Sequence, residues 1–382
     1  MKILNVNMSL DPINGGGGVE RTFQISKSFV KAGLECTVLT TDLGLTRERV
    51  EDMKEINVIA LPCLNKRFYL PKFSFTKIKK LIEGVDIIHL MGHWTLLNAF
   101  VYLMARYLKK PYCVCPAGSL PIFGRSRVIK RFYNMIIGKK IVREAHGHIA
   151  VAENEIRQFA EYGVNTNSIS IIPNGVNSED FLSDDVIGFR KKNSLLNKPF
   201  ILFLGRLNMI KGPDLLLQAF QRVKSKLPNF HLVLVGPDGG MLNKLKNMVM
   251  EFQMEECVHF FGYLGGIEKS NIYHAADLLA IPSRQEAMSI VVLEAGISGT
   301  PVLLSDQCGF NVIEKIDGGK VVQASVNGLE SGLLDMLVDS DRLDEMGAKL
   351  KRFTCENFTW DVITEKYLLL FNRILDEMQR SN

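Results

Sequence analysis

Two cations in the second half of the chain stand where a bound diphosphate would need them. The apolar segment ILFLG is followed by Arg206, and Lys211 comes five residues later, before a helix predicted to begin near Pro213. The carboxyl ends of parallel strands face the ligand crevice of an open sheet, and a helix N-terminus favours negative charge. Arginine offers a bidentate fork and lysine a compact charge. We therefore predict a phosphate site; the alternative is an exposed basic loop.

Two carboxylates lie eight residues apart farther along the chain. Glu286 follows a predicted strand, and Glu294 lies inside a helix predicted to begin near Ser289. Eight residues are a little more than two helical turns, so Glu294 falls on nearly the same face and can accept hydrogen bonds from hydroxyls of the same ligand. Acidic pairs at this spacing are usually solvated. Beside Arg206 and Lys211, however, they indicate a nucleotide sugar.

Four glycines, residues 15–18, separate the first predicted strand from a helix predicted to begin near Val19. Glycine backbone N–H groups at a helix N-terminus can approach an anionic or sugar ligand closely, which makes Gly17 and Gly18 candidate contacts. Glu20 stands where a dinucleotide-binding fingerprint would need its third glycine. A dehydrogenase in which Asp42 reads a ribose is therefore a weaker alternative, and a merely flexible turn is another.

Short apolar runs alternate with amphipathic stretches along the chain, a pattern typical of parallel sheets built from βαβ units. Because 382 residues exceed what one core supports, we predict an α/β protein with two doubly wound domains and a cleft between them. The predicted strands are residues 3–8, 36–40, 86–90, 112–116, 148–151, 200–204, 231–236, 259–261, 278–282 and 301–304. The first domain spans 1–177 and ends in the turn-forming segment IPNGVN, and the second spans 178–358. The remaining residues, 359–382, read as an amphipathic helix.

The composition, with 47% hydrophobic and 23% charged residues, is that of a globular protein. A net charge of +5 without a recognised binding motif does not favour nucleic acid as a partner. The seven cysteines form no CxxC pair, so we expect reduced thiols in the cytoplasm rather than zinc or disulfides. The opening MKILNVNMSLDP lacks the apolar stretch of a signal peptide, and residues 96–108 are too short to span a bilayer.

The sequence resembles family 4 of the retaining glycosyltransferases, which have the GT-B fold. The resemblance covers nearly the whole chain and rests on the glycine-rich first loop, IPNGV at 172–176, GRLNMIKGPDLLLQAF at 205–220, VGPDGG at 235–240 and the E-x7-E element at 286–294. It implies two Rossmann-like domains facing a central cleft, with the nucleotide sugar bound by the second. It also implies that the last helix crosses back to the N-terminal, acceptor-side domain.

The resemblance also implies roles for individual residues. Arg206 and Lys211 would bind the donor diphosphate, Glu294 the nucleotide ribose and Glu286 the donor sugar, so Glu286, Arg206 and Lys211 are the predicted catalytic residues. The other predicted donor contacts are Gly17, Gly18, Gly205, Gly236, Ala287, Met288, Ser289 and Ile290. The implied reaction retains the anomeric configuration through front-face attack assisted by the leaving phosphate. It implies no metal and no cofactor beyond the nucleotide-diphosphate sugar as co-substrate, and the sequence has no Asp-x-Asp element to hold a metal.

The chain departs from the family pattern in two places. Many members have E-G-F-G after the first glutamate, whereas residues 286–289 read Glu-Ala-Met-Ser, which we expect to make the pocket bulkier and to change donor preference. Many members also have a histidine that contacts the donor sugar near C6, where this chain has Ala117. Either the donor sugar lacks a C6 hydroxyl, or another side chain such as His93 reaches the site. A packed or solvent-facing His93 is the alternative.

Two basic stretches without acidic residues, 65–80 and 125–143, interleave cations with aromatic and aliphatic residues. Basic amphipathic segments lie on anionic bilayers, where each cation contributes ~1 kcal/mol. The alternative is a solvated helix face over a core. We favour an anionic membrane surface as the partner, with the protein peripheral on the inner face of the cytoplasmic membrane.

Together these observations predict a retaining glycosyltransferase that moves a sugar from a nucleotide-diphosphate donor to a glycan or lipid-linked acceptor, in bacterial surface polysaccharide biosynthesis such as that of lipopolysaccharide. Two alternatives remain. One is a non-catalytic partner that binds a nucleotide sugar or glycan within a polysaccharide assembly complex. The other is a GT-B-fold epimerase, which would convert the donor without an acceptor.

Overall fold

A computed structural model describes residues 1–13, 15–122, 126–183 and 185–381 of the chain. They form two compact units. The first contains Met1–Gly175 together with the C-terminal helix that begins at Trp360, and the second contains Val176–Thr359. Each unit is built around one large parallel sheet. The predicted α/β class with two doubly wound sheets is confirmed.

The first unit alternates strands and helices. Its strands are β1 (Lys2–Val6), β2 (Glu35–Thr41), β3 (Asn57–Leu61), β4 (Cys63–Asn65), β5 (Leu70–Pro71), β6 (Ile87–Met91), β7 (Tyr112–Cys115), β8 (Gly147–Ala150) and β9 (Ile169–Ile171). Its helices up to β9 are α1 (Gly16–Lys31), α2 (Arg47–Glu51), α3 (Phe75–Glu83), α4 (Leu96–Tyr107), α5 (Arg127–Tyr133), α6 (Lys139–Arg143) and α7 (Asn154–Glu161). A π-helical turn, Asn134–Gly138, joins α5 to α6. Seven strands form the sheet in the order β3-β2-β1-β6-β7-β8-β9, and β4 pairs with β5 in a separate hairpin.

The second unit repeats this plan with six strands. They are β10 (Phe200–Leu204), β11 (His231–Val235), β12 (Val258–Phe261), β13 (Leu278–Ile281), β14 (Val302–Ser305) and β15 (Gly319–Val322). Its helices are α8 (Val186–Lys192), α9 (Pro213–Val223), α10 (Leu242–Glu251), α11 (Gly266–Ala275), α12 (Ile290–Ser298), α13 (Val312–Lys315), α14 (Val326–Met336) and α15 (Ser340–Asn357). The sheet order is β12-β11-β10-β13-β14-β15.

Both sheets reverse their winding direction once, which fixes where a ligand can bind. The reversal falls between β1 and β6 in the first sheet and between β10 and β13 in the second. At such a point the loops after the two neighbouring strands lead away from each other, and they leave a crevice at the carboxyl ends of the strands. The two loops that flank each crevice therefore supply its side chains.

Ten strands agree with the predicted ones to within two residues at each end. Every residue of β6 and β13 is buried, as expected for parallel strands covered on both faces. Strands β3 and β15 and the hairpin of β4 and β5 were not predicted from sequence. Both β3 and β15 pair on one side only and keep several half-buried side chains, so their apolar pattern is weaker.

The last helix, α16 (Trp360–Ser381), joins the first unit through the buried guanidinium of Arg21 on α1. Its Nη2 donates to the Tyr367 hydroxyl at 2.9 Å and to the carbonyl of Ile172 at 2.8 Å. Its Nη1 donates to Pro173 and Asn174, at 2.7 and 2.8 Å. One side chain thus ties α1, the segment that follows β9 and α16 together. Among the described residues, no helix combines the length and apolar character that crossing a membrane requires.

Replacing Arg21 with methionine should lower the free energy of unfolding of the first unit by about 3 kcal/mol, because four buried acceptors lose a charged hydrogen-bond donor. Both tryptophans, Trp94 and Trp360, belong to this unit, so their emission during urea unfolding follows it selectively. The matched control is Arg157→Met, at a side chain that is 90% exposed, which should change stability by less than about 0.5 kcal/mol. Equal effects of the two substitutions would contradict this role for Arg21.

Candidate active site

The predicted phosphate and carboxylate residues lie at the reversal point of the second sheet. Arg206 and Lys211 belong to the loop between β10 and α9, and Glu286 belongs to the loop between β13 and α12. Glu294 lies in the second turn of α12. Since β10 and β13 are paired neighbours, their loops leave from the same edge of the sheet. The structure therefore brings the four predicted side chains to one region of the second unit.

The loop that carries the two cations, residues 205–212, is held against the loop that follows β11. Gly205 and Gly236 lie side by side at the strand ends, and a side chain on Gly236 would collide with the Gly205 carbonyl oxygen. The Leu207 N–H donates to the Pro237 carbonyl at 3.0 Å, and a Cβ on Gly239 would lie 2.8 Å from Arg206 Cγ. The predicted glycines thus allow the close packing that positions Arg206.

Lys211 and Glu286 form an ion pair between the two loops. Lys211 Nζ binds Glu286 Oε1, and the Lys211 N–H donates to the side-chain oxygen of Asn208 at 2.9 Å. The Glu286 side chain is 14% exposed, and its N–H donates to the Gln307 carbonyl at 2.9 Å. Its buried Oε2 has no hydrogen-bond partner in the part of the chain that the structure describes. One oxygen of Glu286 is therefore held by Lys211, while the other can accept a hydrogen bond from a ligand.

The four residues after Glu286 differ in what they can offer a ligand. Ala287 and Ile290 are half-buried. Met288 is 6% exposed and Ser289 is fully buried, and the Ser289 hydroxyl has no partner among the described residues. The side chains of Met288 and Ser289 therefore contribute little to the exposed surface of this segment, and the bulkier, hydroxyl-bearing pocket surface stays a prediction. Helix α12 begins at Ile290, next to the predicted start.

Glu294 is almost fully buried, and both of its oxygens are engaged. Oε1 binds Lys269 Nζ at 2.5 Å, and Oε2 accepts from the Tyr273 hydroxyl at 2.7 Å. Burial and the neighbouring carboxylate raise the pKa of Tyr273, so its hydroxyl stays protonated and donates. A carboxylate has about four lone-pair sites, so Glu294 can accept about two further hydrogen bonds.

The sequence analysis missed Lys269 and Tyr273. They are four residues apart on α11, and this i, i+4 spacing places them on one face of the helix. That spacing is the signal that could have paired them, but only the tertiary structure shows that the face meets Glu294. Together they compensate a buried negative charge that would be costly alone.

Cys308 lies near Glu286 and is a candidate nucleophile. Burial, and then the Glu286 charge, raise the pKa of its thiol to about 12. Its Sγ donates to the Ile281 carbonyl. Cys308 is therefore a protonated, packed thiol. No cluster of three or more potential metal ligands is found within the described ranges.

In the first unit, the glycine-rich segment and His93 follow β1 and β6, the two strands at the reversal point of that sheet. Helix α1 begins at Gly16, three residues before the predicted start. Gly17 is exposed and Gly18 half-buried, and a Cβ on Gly18 would meet no atom within 4 Å. The Gly18 carbonyl accepts from the Asn7 side chain at 3.2 Å. The first turn of α1 therefore has space for a ligand.

His93 lies in a buried polar and aromatic cluster. It is 3% exposed, its Nε2 lies 2.9 Å from Asn134 Oδ1, and its ring packs edge-on against Trp94, Tyr133 and Tyr162. Burial lowers the pKa of His93 to about 4, so the ring is neutral near pH 7. This packing favours the interpretation of His93 as a packed histidine over that of a sugar contact.

Ala117, at the position of the family's usual histidine, lies in the loop after β7. This loop is held by Glu155, a residue that was not predicted from sequence. Ala117 and Gly118 both have positive φ angles, of 47° and 84°. The buried carboxylate of Glu155 accepts from the N–H groups of Gly118, at 2.5 Å, and Val151, at 2.6 Å. Burial raises the pKa of Glu155. Glu155 therefore holds the loop after β7 by its backbone.

Two family descriptions match the chain. Residues 15–180 match Glycosyltransferase Family 4, and residues 187–353 match Glycosyl transferases group 1. The D-inositol 3-phosphate glycosyltransferase of Nocardia farcinica is 30% identical over 250 residues, which are 63% of this chain and 55% of that protein. A GDP-mannose-dependent alpha-(1-6)-phosphatidylinositol monomannoside mannosyltransferase of Mycobacterium tuberculosis is 28% identical over 52% of this chain and 54% of that protein. The chain thus spans about half the length of these curated relatives.

The fold has close counterparts among solved structures. Anabaena HepE, in complex with UDP and glucose, matches with a TM-score of 0.80 over 97% of this chain and 99% of that one, at 18% identity. At this identity the likeness shows a shared fold, which is GT-B. The two family matches establish that the chain belongs to the family 4 glycosyltransferases.

Proposed function

We propose that the protein transfers a sugar, with retention of configuration, from a nucleotide-diphosphate donor to a glycan or lipid-linked acceptor. The observation that carries this proposal is the ion pair of Lys211 with Glu286 at the reversal point of the second sheet. Arg206 lies in the same loop as Lys211, and Glu294 lies in the helix that follows Glu286. Cations suit the diphosphate and carboxylates suit the hydroxyls of sugar and ribose. The names of the relatives, which include an inositol phosphate glycosyltransferase and a mannosyltransferase, support the same class of reaction.

In the proposed reaction the bond between the anomeric carbon and the diphosphate oxygen breaks, and negative charge develops on the leaving phosphate. Lys211, Arg206 and the N–H groups at the start of α9 face that charge. Interactions that strengthen as charge develops lower the barrier more than interactions with the ground state. The acceptor hydroxyl attacks from the face that the diphosphate leaves and gives its proton to the departing phosphate oxygen. We propose that no metal or further cofactor takes part.

When the donor binds, its diphosphate would replace Glu286 as the partner of Lys211. In the structure Lys211 binds Glu286, and an incoming diphosphate offers it two negative charges instead. Glu286 then accepts hydrogen bonds from the sugar with both oxygens. Glu294, already held by Lys269 and Tyr273, reads the ribose.

A membrane-associated acceptor is supported by the surface of 127–140. Helix α5 has no buried residue. The exposed apolar side chains of α5 and the following turn are 53–77% exposed: Val128, Ile129, Phe132, Met135 and Ile136. Exposed cations flank them, namely Arg127, Arg131, Lys139 and Lys140. Of the predicted cations, Arg125 lies outside the described residues. Tyr133, at the end of α5, packs on the core of the first unit. Val128, Ile129 and Phe132 are exposed, so these three side chains do not form the core-facing side of a solvated helix.

The other basic stretch, 65–80, has both exposed and buried apolar side chains. Phe68 and Phe75 are 47% and 55% exposed, whereas Ile78 is buried and Phe73 packs on Phe100 with ring centres 4.6 Å apart. We propose that 127–140 is the main contact with an anionic bilayer and that 65–80 adds to it. The protein would then act at the inner face of the cytoplasmic membrane, in surface polysaccharide biosynthesis.

Lys211→Ala should lower kcat/KM at least ~100-fold for every donor in a nucleotide-sugar panel, because all donors share the diphosphate. Ala287→Gly should instead change the ratio between donors. The matched control is Lys320→Ala, which removes a surface ion pair with Asp335 in the same unit and should leave transfer unchanged. Product formation is measured with extracted glycolipids as acceptors.

Three outcomes of that assay would count against the proposal. A donor unaffected by Lys211→Ala contradicts the phosphate role. Affinity without turnover by the wild-type protein indicates a non-catalytic binding partner. Conversion of the donor sugar without an acceptor indicates an epimerase.

The double substitution Phe132→Ser and Ile136→Ser should reduce binding to phosphatidylglycerol vesicles at least ~10-fold in a flotation assay, because two side chains no longer enter the interface. Wild-type binding should weaken with salt and be lost on phosphatidylcholine vesicles. Val338→Ser, at an even more exposed apolar residue of the second unit, is the control and should bind normally. No flotation of the wild-type protein would refute the membrane contact.

A further inference from the structure

Arg284 has no predicted role in donor binding. It joins the loop between β10 and α9, which carries Lys211, to the loop between β13 and α12, which carries Glu286. It lies in the loop after β13, two residues before Glu286. Its Nη1 and Nη2 bind the two carboxylate oxygens of Asp214 on α9, at 2.8 Å each. Nη1 also donates to the Met209 carbonyl at 2.7 Å. Bidentate pairs of this kind fix orientation as well as distance.

The backbone reinforces this clamp. The Arg284 N–H donates to the Ile210 carbonyl at 2.7 Å. Gly212 has a φ angle of 70°, and a side chain there would collide with the Pro282 carbonyl oxygen. Residues 209–214 are therefore held along their length by residues 282–284. Lys211 lies in the middle of the held segment.

The Asp214 carboxylate needs Arg284. The Asp214 side chain is 6% exposed, so its charge is largely removed from water. The start of α9 favours a negative charge, but a buried carboxylate without a cation is costly. Lys211, in the loop that precedes α9, binds Glu286 instead. Arg284 thereby leaves Lys211 available for the donor.

Most of the terminal N–H groups of the Arg284 guanidinium donate to other residues of the protein. Both N–H bonds of Nη1 are used, by Met209 and Asp214, and Nη2 gives one more to Asp214. We infer that Arg284 is a positioning residue, which sets the place of Lys211 against Glu286 and through Lys211 determines affinity for the diphosphate of the donor. This inference rests on the proposed nucleotide-sugar function. Small displacements of a positioned group have large effects on binding and rate.

The test compares ligands with and without the diphosphate. Calorimetry first finds which of UDP, GDP, ADP and dTDP binds wild-type protein most tightly, and the corresponding nucleoside is measured by competition. Arg284→Met should weaken binding of the diphosphate at least ~10-fold and change binding of the nucleoside less than ~2-fold. Arg284→Lys keeps the charge but not the fork, and should not restore the diphosphate affinity.

A double-mutant comparison separates positioning from general damage to the fold. In a Lys211→Ala background, Arg284→Met should weaken diphosphate binding by less than ~2-fold more, because Arg284 acts through Lys211. Arg222→Met is the matched control. Arg222 lies on α9, the helix of Asp214, and forms a surface ion pair with Glu330 at 3.2 Å. This substitution should leave both affinities unchanged. Thermal unfolding of each variant checks that it is folded.

The outcomes distinguish this inference from the function on which it rests. Wild-type protein that binds none of the four diphosphates overturns both. Wild-type protein that binds one of them, while Arg284→Met and Arg284→Lys bind it equally well, overturns the positioning role alone. An equal loss for nucleoside and diphosphate, or an undiminished loss in the Lys211→Ala background, also overturns it, because Arg284 would then support the fold and not Lys211.

Discussion

The close approach of the two loops that follow β10 and β13 is the constraint on which the site depends. The strands are neighbours because the second sheet reverses its winding there. The loops can touch because Gly212 has no side chain to collide with the Pro282 carbonyl. One loop carries the cations suited to phosphate, and the other carries the carboxylate suited to sugar hydroxyls. Without this contact the cations of one loop and the carboxylate of the other could not bind the same ligand.

Charge pairing within the second unit prepares the site before a donor arrives. Three carboxylates with little exposure each bind one cation, in the pairs Glu286 with Lys211, Glu294 with Lys269 and Asp214 with Arg284. Each pairing offsets the cost of removing a charge from water. Two of the pairs would stay intact when the donor binds, while the pair of Lys211 and Glu286 would open. Since the rest is already ordered, little reorganisation is left for the reaction itself.

The positions of Arg206, Lys211 and Glu286 could be predicted from sequence because one rule covers them. Residues that follow parallel strands gather at one edge of the sheet, and the strands were evident from their apolar runs. The partners of Glu294 could not be predicted, because Lys269 and Tyr273 reach it from a helix whose orientation depends on tertiary packing. Arg284 was passed over for the same reason.

Burial was the property that sequence predicted least well. Met288 and Ser289 read as pocket residues from their place after Glu286, and their near-complete burial was not foreseen. His93 stands at the end of a strand, as a ligand contact would, but its neighbours enclose it. In the first unit, nothing in the spacing of Arg21 marked it as the residue that holds the last helix. The local sequence pattern predicts which helix or strand a residue belongs to and at which edge of the sheet it lies. The direction of its side chain depends on residues far away in sequence.

Amide hydrogen exchange with and without the tightest-binding nucleoside diphosphate tests the central claim most directly. If the loops after β10 and β13 form one donor site, peptides covering 205–214 and 284–294 should exchange more slowly together when the ligand is added. The account predicts this joint protection, and it predicts that Lys211→Ala removes it at the same ligand concentration. Protection of one loop without the other, or protection confined to other parts of the chain, would contradict it.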